Sequence, residues 1–153
     1  MEITLKKVKK YSALSEETIA YTADVYIDGI LIGTAQNNGK GGETYVQLCQ
    51  KANLEKLREA EKWASNLPAK KIMGYNGEFE YKQNLSSVID DALEEHELAK
   101  QCKKHTFFYV AEKGWLQIKN QPINEEIVKF VLTKYENAKF PAQYKKMFEY
   151  LRN

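Results

Sequence analysis

Four sets of side chains have types and spacings that could do chemistry. The first is Asn37-Asn38-Gly39-Lys40-Gly41-Gly42, whose backbone N–H groups could face a phosphate while Lys40 adds positive charge. A phosphate-loop ATPase needs four residues between its first glycine and a Gly-Lys pair, and then Ser or Thr. Here five residues separate Gly33 from Gly39, and Gly41 follows Lys40, so the motif fails on spacing and identity. The run reads instead as a glycine hairpin loop, with a contact loop for a protein or nucleic-acid partner as the functional alternative. The second set is His96, Cys102 and His105, with Cys49 as a fourth candidate ligand. Gaps of five and two residues between the first three match no zinc module, and His96 falls on an apolar stripe where a hydrogen-bonded histidine is commoner. No third group orients a Cys-His nucleophile. The sequence therefore assigns no metal ligand, no cofactor and no catalytic residue.

The third set is acidic: Asp90, Asp91, Glu94, Glu95 and Glu97, with no basic residue among them. Carboxylates at helical spacing, such as Asp90 and Glu94, can hold a divalent ion or perform acid-base work. More often they form a solvated helix face. A surplus of negative charge there also suits docking on a basic partner, or imitation of nucleic acid. Asn37, Asn38, Lys40, Asp90, Asp91 and Glu94 are accordingly the expected partner-binding residues. The fourth set is basic. Lys7, Lys9, Lys10, Lys103 and Lys104 are candidate phosphate contacts, with Tyr11, Phe107, Phe108 and Tyr109 nearby for base stacking. No RNP signature, KH loop or helix-turn-helix pattern accompanies them. Lysine also protects strand edges, which is the blander account of the same residues.

These groups need elements to place them. Ile19, Tyr21, Ala23, Val25 and Ile27 alternate with polar or small residues, the period of a strand with one buried face. Asp28-Gly29 suits a type I′ turn, and Ile30 to Gln36 runs back as the second arm of a hairpin. Ile3, Leu5 and Val8 suggest an opening strand, and Thr44 to Leu48 a fourth. Asn53 is placed to cap a helix running to about Asn66, stopped by Pro68. Gly74-Tyr75-Asn76-Gly77 reads as a turn or exposed loop. A longer helix spans Leu85 to about Lys103, with Ser87 and Asp90 as a near capping box and Leu85, Val88, Ile89, Ala92, Leu93, His96 and Ala99 as its apolar stripe. Thr106 to Ala111 and Trp115 to Lys119 form a second hairpin. Ile123 and Val128 flank Asn124 as a hydrophobic staple would, at the start of a third helix. A fourth follows Pro141, with Tyr144, Met147, Phe148 and Leu151 on one face. No repeat or linker divides the chain. The expectation is a single α+β domain over 1–153, an antiparallel sheet with a β-hairpin and Gly-rich loop packed against about four helices.

Composition limits the function classes. A chain of 153 residues that is 43% hydrophobic can bury a core and is not a disordered segment. A net charge of +2 is weak for a protein that grips a nucleic-acid backbone, although the local clusters leave separate acidic and basic faces open. Two cysteines, no secretory signal and no apolar run near the roughly 18 residues of a membrane span point to reduced thiols in a soluble cytoplasmic chain.

Two segments resemble a known group. Val25-Tyr26-Ile27-Asp28-Gly29, Gly33-Thr34 and the Asn38 to Gly42 loop resemble a pattern in small uncharacterised proteins of plasmids and bacteriophages, and Pro122 to Val128 through Lys134-Tyr135 is similar to their C-terminal helix. The resemblance covers about a quarter of the chain and transfers no catalytic residue. It implies a mobile-element setting, in which small proteins without enzyme motifs often block host defences, CRISPR effectors included. The expected function is a non-enzymatic binding protein, an inhibitor of a bacterial defence complex. Its partner would be a protein or ribonucleoprotein, with no membrane involved. The alternative is an RNA- or single-stranded-DNA-binding accessory protein. A small nucleotide-handling enzyme ranks third.

Overall fold

The computed structural model describes residues 1–74, 77–141 and 144. They form an α+β protein with one four-stranded antiparallel sheet, two two-stranded sheets and three α-helices. The chain divides into two compact units, Met1–Glu94 and Glu95–Asn153. The helix expected after Pro141 lies outside the described residues, Tyr144 excepted.

In the first unit, β1 (Ile3–Lys10), β2 (Tyr21–Ile27), β3 (Ile30–Asn37) and β4 (Tyr45–Leu48) form a meander in that spatial order. Alternation dictates its faces: Tyr21, Ala23, Val25 and Ile27 are all buried. Ile19, expected on that face, precedes the strand and is 46% exposed. Asp28 and Gly29 have φ of 50° and 81°, the left-handed pair that a type I′ turn requires. The register shifts between Val25 and Tyr26, so Ile32 and Gly33 are both buried. A Cβ on Gly33 would run into the Gln47 carbonyl, so only glycine lets β4 close on β3 here.

Helix α1 (Leu54–Ser65) buries Leu57, Ala60 and Ala64, and the first turns of α2 (Leu85–Cys102) bury Leu85, Ile89 and Leu93 in the same core. Two capping expectations change. Asn53 stands at the start of α1 but caps nothing with its side chain; its amide donates to the carbonyls of Leu31 (3.0 Å) and Ile32 (3.2 Å). At α2 the cap is Asn84, whose Oδ1 accepts from the Ser87 N–H at 2.9 Å while Ser87 Oγ accepts from the Asn84 N–H at 3.0 Å. Ser87 is thus the returning member of the box. Asp90 is left for another task. On either side of the turn expected at 74–77 lie two short strands that no sequence pattern assigns, β5 (Lys70–Gly74) and β6 (Gly77–Tyr81), paired as a hairpin.

The second unit holds the rest of α2, the hairpin β7 (Thr106–Val110) and β8 (Gly114–Ile118), and α3 (Glu125–Lys134). Asn124 Oδ1 accepts from the Ile127 N–H at 2.8 Å, and Ile123 and Val128 are both buried, so cap and staple form as their spacing implies. Buried Tyr144 accepts from the Phe107 N–H at 2.8 Å and donates to the His105 carbonyl at 2.6 Å.

Candidate functional site

Asn37 ends β3, and its side chain, in a residue only 7% exposed, fastens the glycine loop. Its Oδ1 accepts from the Thr18 hydroxyl and from the Gly39 N–H, both at 2.9 Å; its Nδ2 donates to the Gly42 carbonyl at 3.0 Å and to Thr44 Oγ1 at 3.3 Å. The Lys40 N–H is taken by Asn38 Oδ1 (3.1 Å) and the Gly41 N–H by Thr18 Oγ1 (3.3 Å). Three of the loop's N–H donors, those of Gly39, Lys40 and Gly41, are therefore occupied by side chains of Asn37, Asn38 and Thr18, against the phosphate reading. The converse arrangement exists: the Glu16, Glu17 and Thr18 N–H groups converge on the Gly39 carbonyl at 2.9, 2.9 and 3.2 Å. Gly39 has φ +83°, and a Cβ there would run into the Leu14 carbonyl, so the loop can lie on the 14–18 segment only because this residue is glycine.

Thr44 links the loop to α2. Its N–H donates to Ser86 Oγ at 2.8 Å and its hydroxyl to Asp90 Oδ1 at 2.6 Å; the Tyr21 hydroxyl also reaches Asp90 Oδ1 at 3.0 Å. Burial pushes the Tyr21 phenol well above its ordinary value, which keeps it a donor. Asp90 Oδ1 thus receives two hydroxyls, and no hydrogen bond or ion pair involves Oδ2 among the described residues. A pocket of about 180 Å³ opens here, lined by Thr18, Ile19, Tyr21, Asn37, Asp90, Leu93 and Glu94. Its chemistry is mixed: Asp90 and Glu94 one helical turn apart, hydroxyl and amide groups, and apolar walls from Ile19 and Leu93. Such a pocket suits a cationic head on an apolar stem.

Three of the six expected partner-binding residues, Asn37, Asp90 and Glu94, therefore meet at one pocket, although 53 positions separate Asn37 from Asp90. Asn37 is corrected from an exposed contact to the buried latch of the loop. Asn38 and Lys40 are exposed. Asp91 pairs with Lys70, so its charge is answered within the fold. The basic candidates divide: Lys7, Lys9 and Lys10 lie on β1, in the first unit, and Lys103 and Lys104 follow α2 in the second. All five are exposed, but Lys7, at a bulge with φ 50°, pairs with Asp24 at 2.9 Å.

Sequence reasoning missed Tyr21, Thr44 and Ser86. Tyr21 falls on the buried face of β2, and a tyrosine there carries a hydroxyl that must find a partner, which is the available signal. No group of three or more His, Cys, Asp or Glu among the described residues is placed to hold a metal ion. Cys49 and Cys102 are free thiols in different units; burial pushes the Cys102 thiol up, and His105 Nδ1 accepts from the Asn120 N–H at 2.9 Å. No helix among the described residues is long and apolar enough to cross a membrane. The chain matches no protein-family model, no curated protein and no solved structure.

Proposed function

We propose that this chain is a non-enzymatic binding protein that engages a basic protein surface through the Asp90–Glu94 pocket and the exposed part of the 37–42 loop, Asn38 and Lys40. The observation that carries this reading is the half-buried Asp90 carboxylate. One oxygen is fixed by two hydroxyls and the other meets no cation among the described residues, with the Glu94 carboxylate beside it. Carboxylates held this way gain from an incoming ammonium or guanidinium, and a site ordered in advance loses little entropy on binding. The setting rests on the sequence resemblance: a mobile-element protein that inhibits a bacterial defence complex such as a CRISPR effector, whose nucleic-acid channel must be basic. A second reading, binding of RNA or single-stranded DNA, draws on the second unit, on exposed Lys103 and Lys104 and on Trp115, which is 61% exposed.

Affinity capture from a bacterial lysate, divided into nuclease-treated and untreated halves, tests these readings. A stoichiometric protein retained after nuclease treatment supports the first. Capture that vanishes with nuclease overturns it in favour of the second.

A further inference from the structure

The two edges of the four-stranded sheet differ. β1 carries exposed Lys6, Lys7, Lys9 and Lys10 and a shift of register between Lys6 and Lys9, both of which blunt an edge against further pairing. β4, Tyr45-Val46-Gln47-Leu48, has no charge, no proline and an unbroken register against β3. That register fixes which groups face outward. The Cys49 N–H donates to the Ile32 carbonyl at 3.0 Å, and antiparallel alternation turns Gln47 and Tyr45 toward β3 with it. The N–H and C=O groups of Val46 and Leu48 therefore point away from the sheet. The Thr44 N–H, next in that outward series, is closed off by Ser86 Oγ at 2.8 Å.

A hollow of about 350 Å³ adjoins this edge, its lining including Tyr45, Val46, Leu57, Leu85 and Ile89. The carboxylates of Glu43 and Glu61 also border it, and neither meets a cation among the described residues. We propose that β4 is the docking edge for an extended segment of a partner protein, which adds as a fifth strand. It would set an apolar residue into the hollow and, two positions away on the same face, a lysine or arginine against Glu43 or Glu61. A second copy of this chain fits less well. Its Val46 and Leu48 already pack on its own core, so the hollow would stay unfilled. The inference rests on the binding reading only in requiring a protein partner, and it uses none of the Asp90 pocket.

Hydrogen exchange on the full chain, with the peptide acetyl-Thr-Leu-Thr-Lys-Thr-amide as probe, tests it. In the free protein the Val46 and Leu48 amides should exchange about tenfold or more faster than those of Tyr45 and Gln47. The peptide should slow them. Of two versions N-methylated on alternate residues, one should lose this effect and the other keep it. Val46→Pro, which removes an outward donor and leaves the bonds to β3, should abolish protection of Leu48; Glu61→Lys, an exposed change, should weaken it. Four results would overturn the proposal: slow exchange at Val46 and Leu48 in the free monomer, no protection by the peptide, equal protection by both N-methylated versions, or a dimer that protects the edge itself. Failure here with a nuclease-resistant partner still captured removes strand addition alone; failure of that capture removes the binding reading.

Discussion

Replacing Asn37 with alanine should release the glycine loop and lower stability by about 2–4 kcal/mol, from the loss of three well-placed hydrogen bonds and one longer one. The bonds from Thr18, from the Gly39 N–H and to the Gly42 carbonyl are worth about 1 kcal/mol each, and the Gly39 N–H, in a buried residue, adds a desolvation cost when left unpaired. The bond to Thr44, at 3.3 Å, counts for less. Urea denaturation followed by circular dichroism reads the change, with the m-value confirming that the exposed surface is unaltered. Asn37→Asp sharpens the test. Its carboxylate can still accept from Thr18 and Gly39, but it cannot donate to Gly42 or Thr44, and it puts a second negative charge across Thr44 from Asp90. With two donor bonds lost and a like charge gained, the Asp variant should also fall below wild type in the same urea titration. A loss below about 1 kcal/mol for Asn37→Ala at unchanged m would refute the assignment of Asn37 as the latch.

Burial raises the phenols of both Tyr21 and Tyr144 above their ordinary value of 10.0, so the stability they confer is intact below that pH and is lost as pH rises past it, because the unfolded chain releases those protons first. Denaturant midpoints at about pH 8 and pH 11 should show the fall, smaller in Tyr21→Phe; an identical fall in that variant would count against the buried hydroxyl. Gly39→Ala meets both a left-handed φ and the Leu14 carbonyl, and thermal melts should place it at least about 2 kcal/mol below wild type; a neutral result would mean the loop does not sit on residue 14. Asn124→Ala should cost about 1 kcal/mol and speed amide exchange in the first turn of α3, whereas unchanged exchange would deny the cap its role.

Local chemistry was legible in the sequence wherever it depended on neighbours in the chain. The Asp28-Gly29 turn, the alternation of β2 and the Asn124 cap with its Ile123–Val128 staple follow from short-range geometry. What was not legible depended on competition between distant groups. Asn53 has the right residue type for a cap, but the carbonyls of Leu31 and Ile32 take its amide. Ser87 and Asp90 have the spacing of a capping box, but Asn84 and Ser87 satisfy each other instead. The acidic run was visible as a run, yet its members separate by what the fold brings to them. Lys70 answers Asp91, two hydroxyls hold Asp90, and Glu94 is left at the pocket. The turn at 74–77 shows in its glycines, but β5 and β6 on either side of it are five residues each and carry too little alternation to show as strands.

The central claim is that the carboxylates at the α2 pocket recognise the partner. Its most direct test is the affinity of the captured protein for wild type, Glu94→Gln and Glu94→Lys, measured by calorimetry at two salt concentrations. Glu94 is exposed, so both variants should keep the fold. Binding should weaken in the order wild type, Gln, Lys, with about a tenfold loss or more for Lys, and the difference should narrow as salt rises. Affinities that agree within about twofold across the three proteins would contradict it.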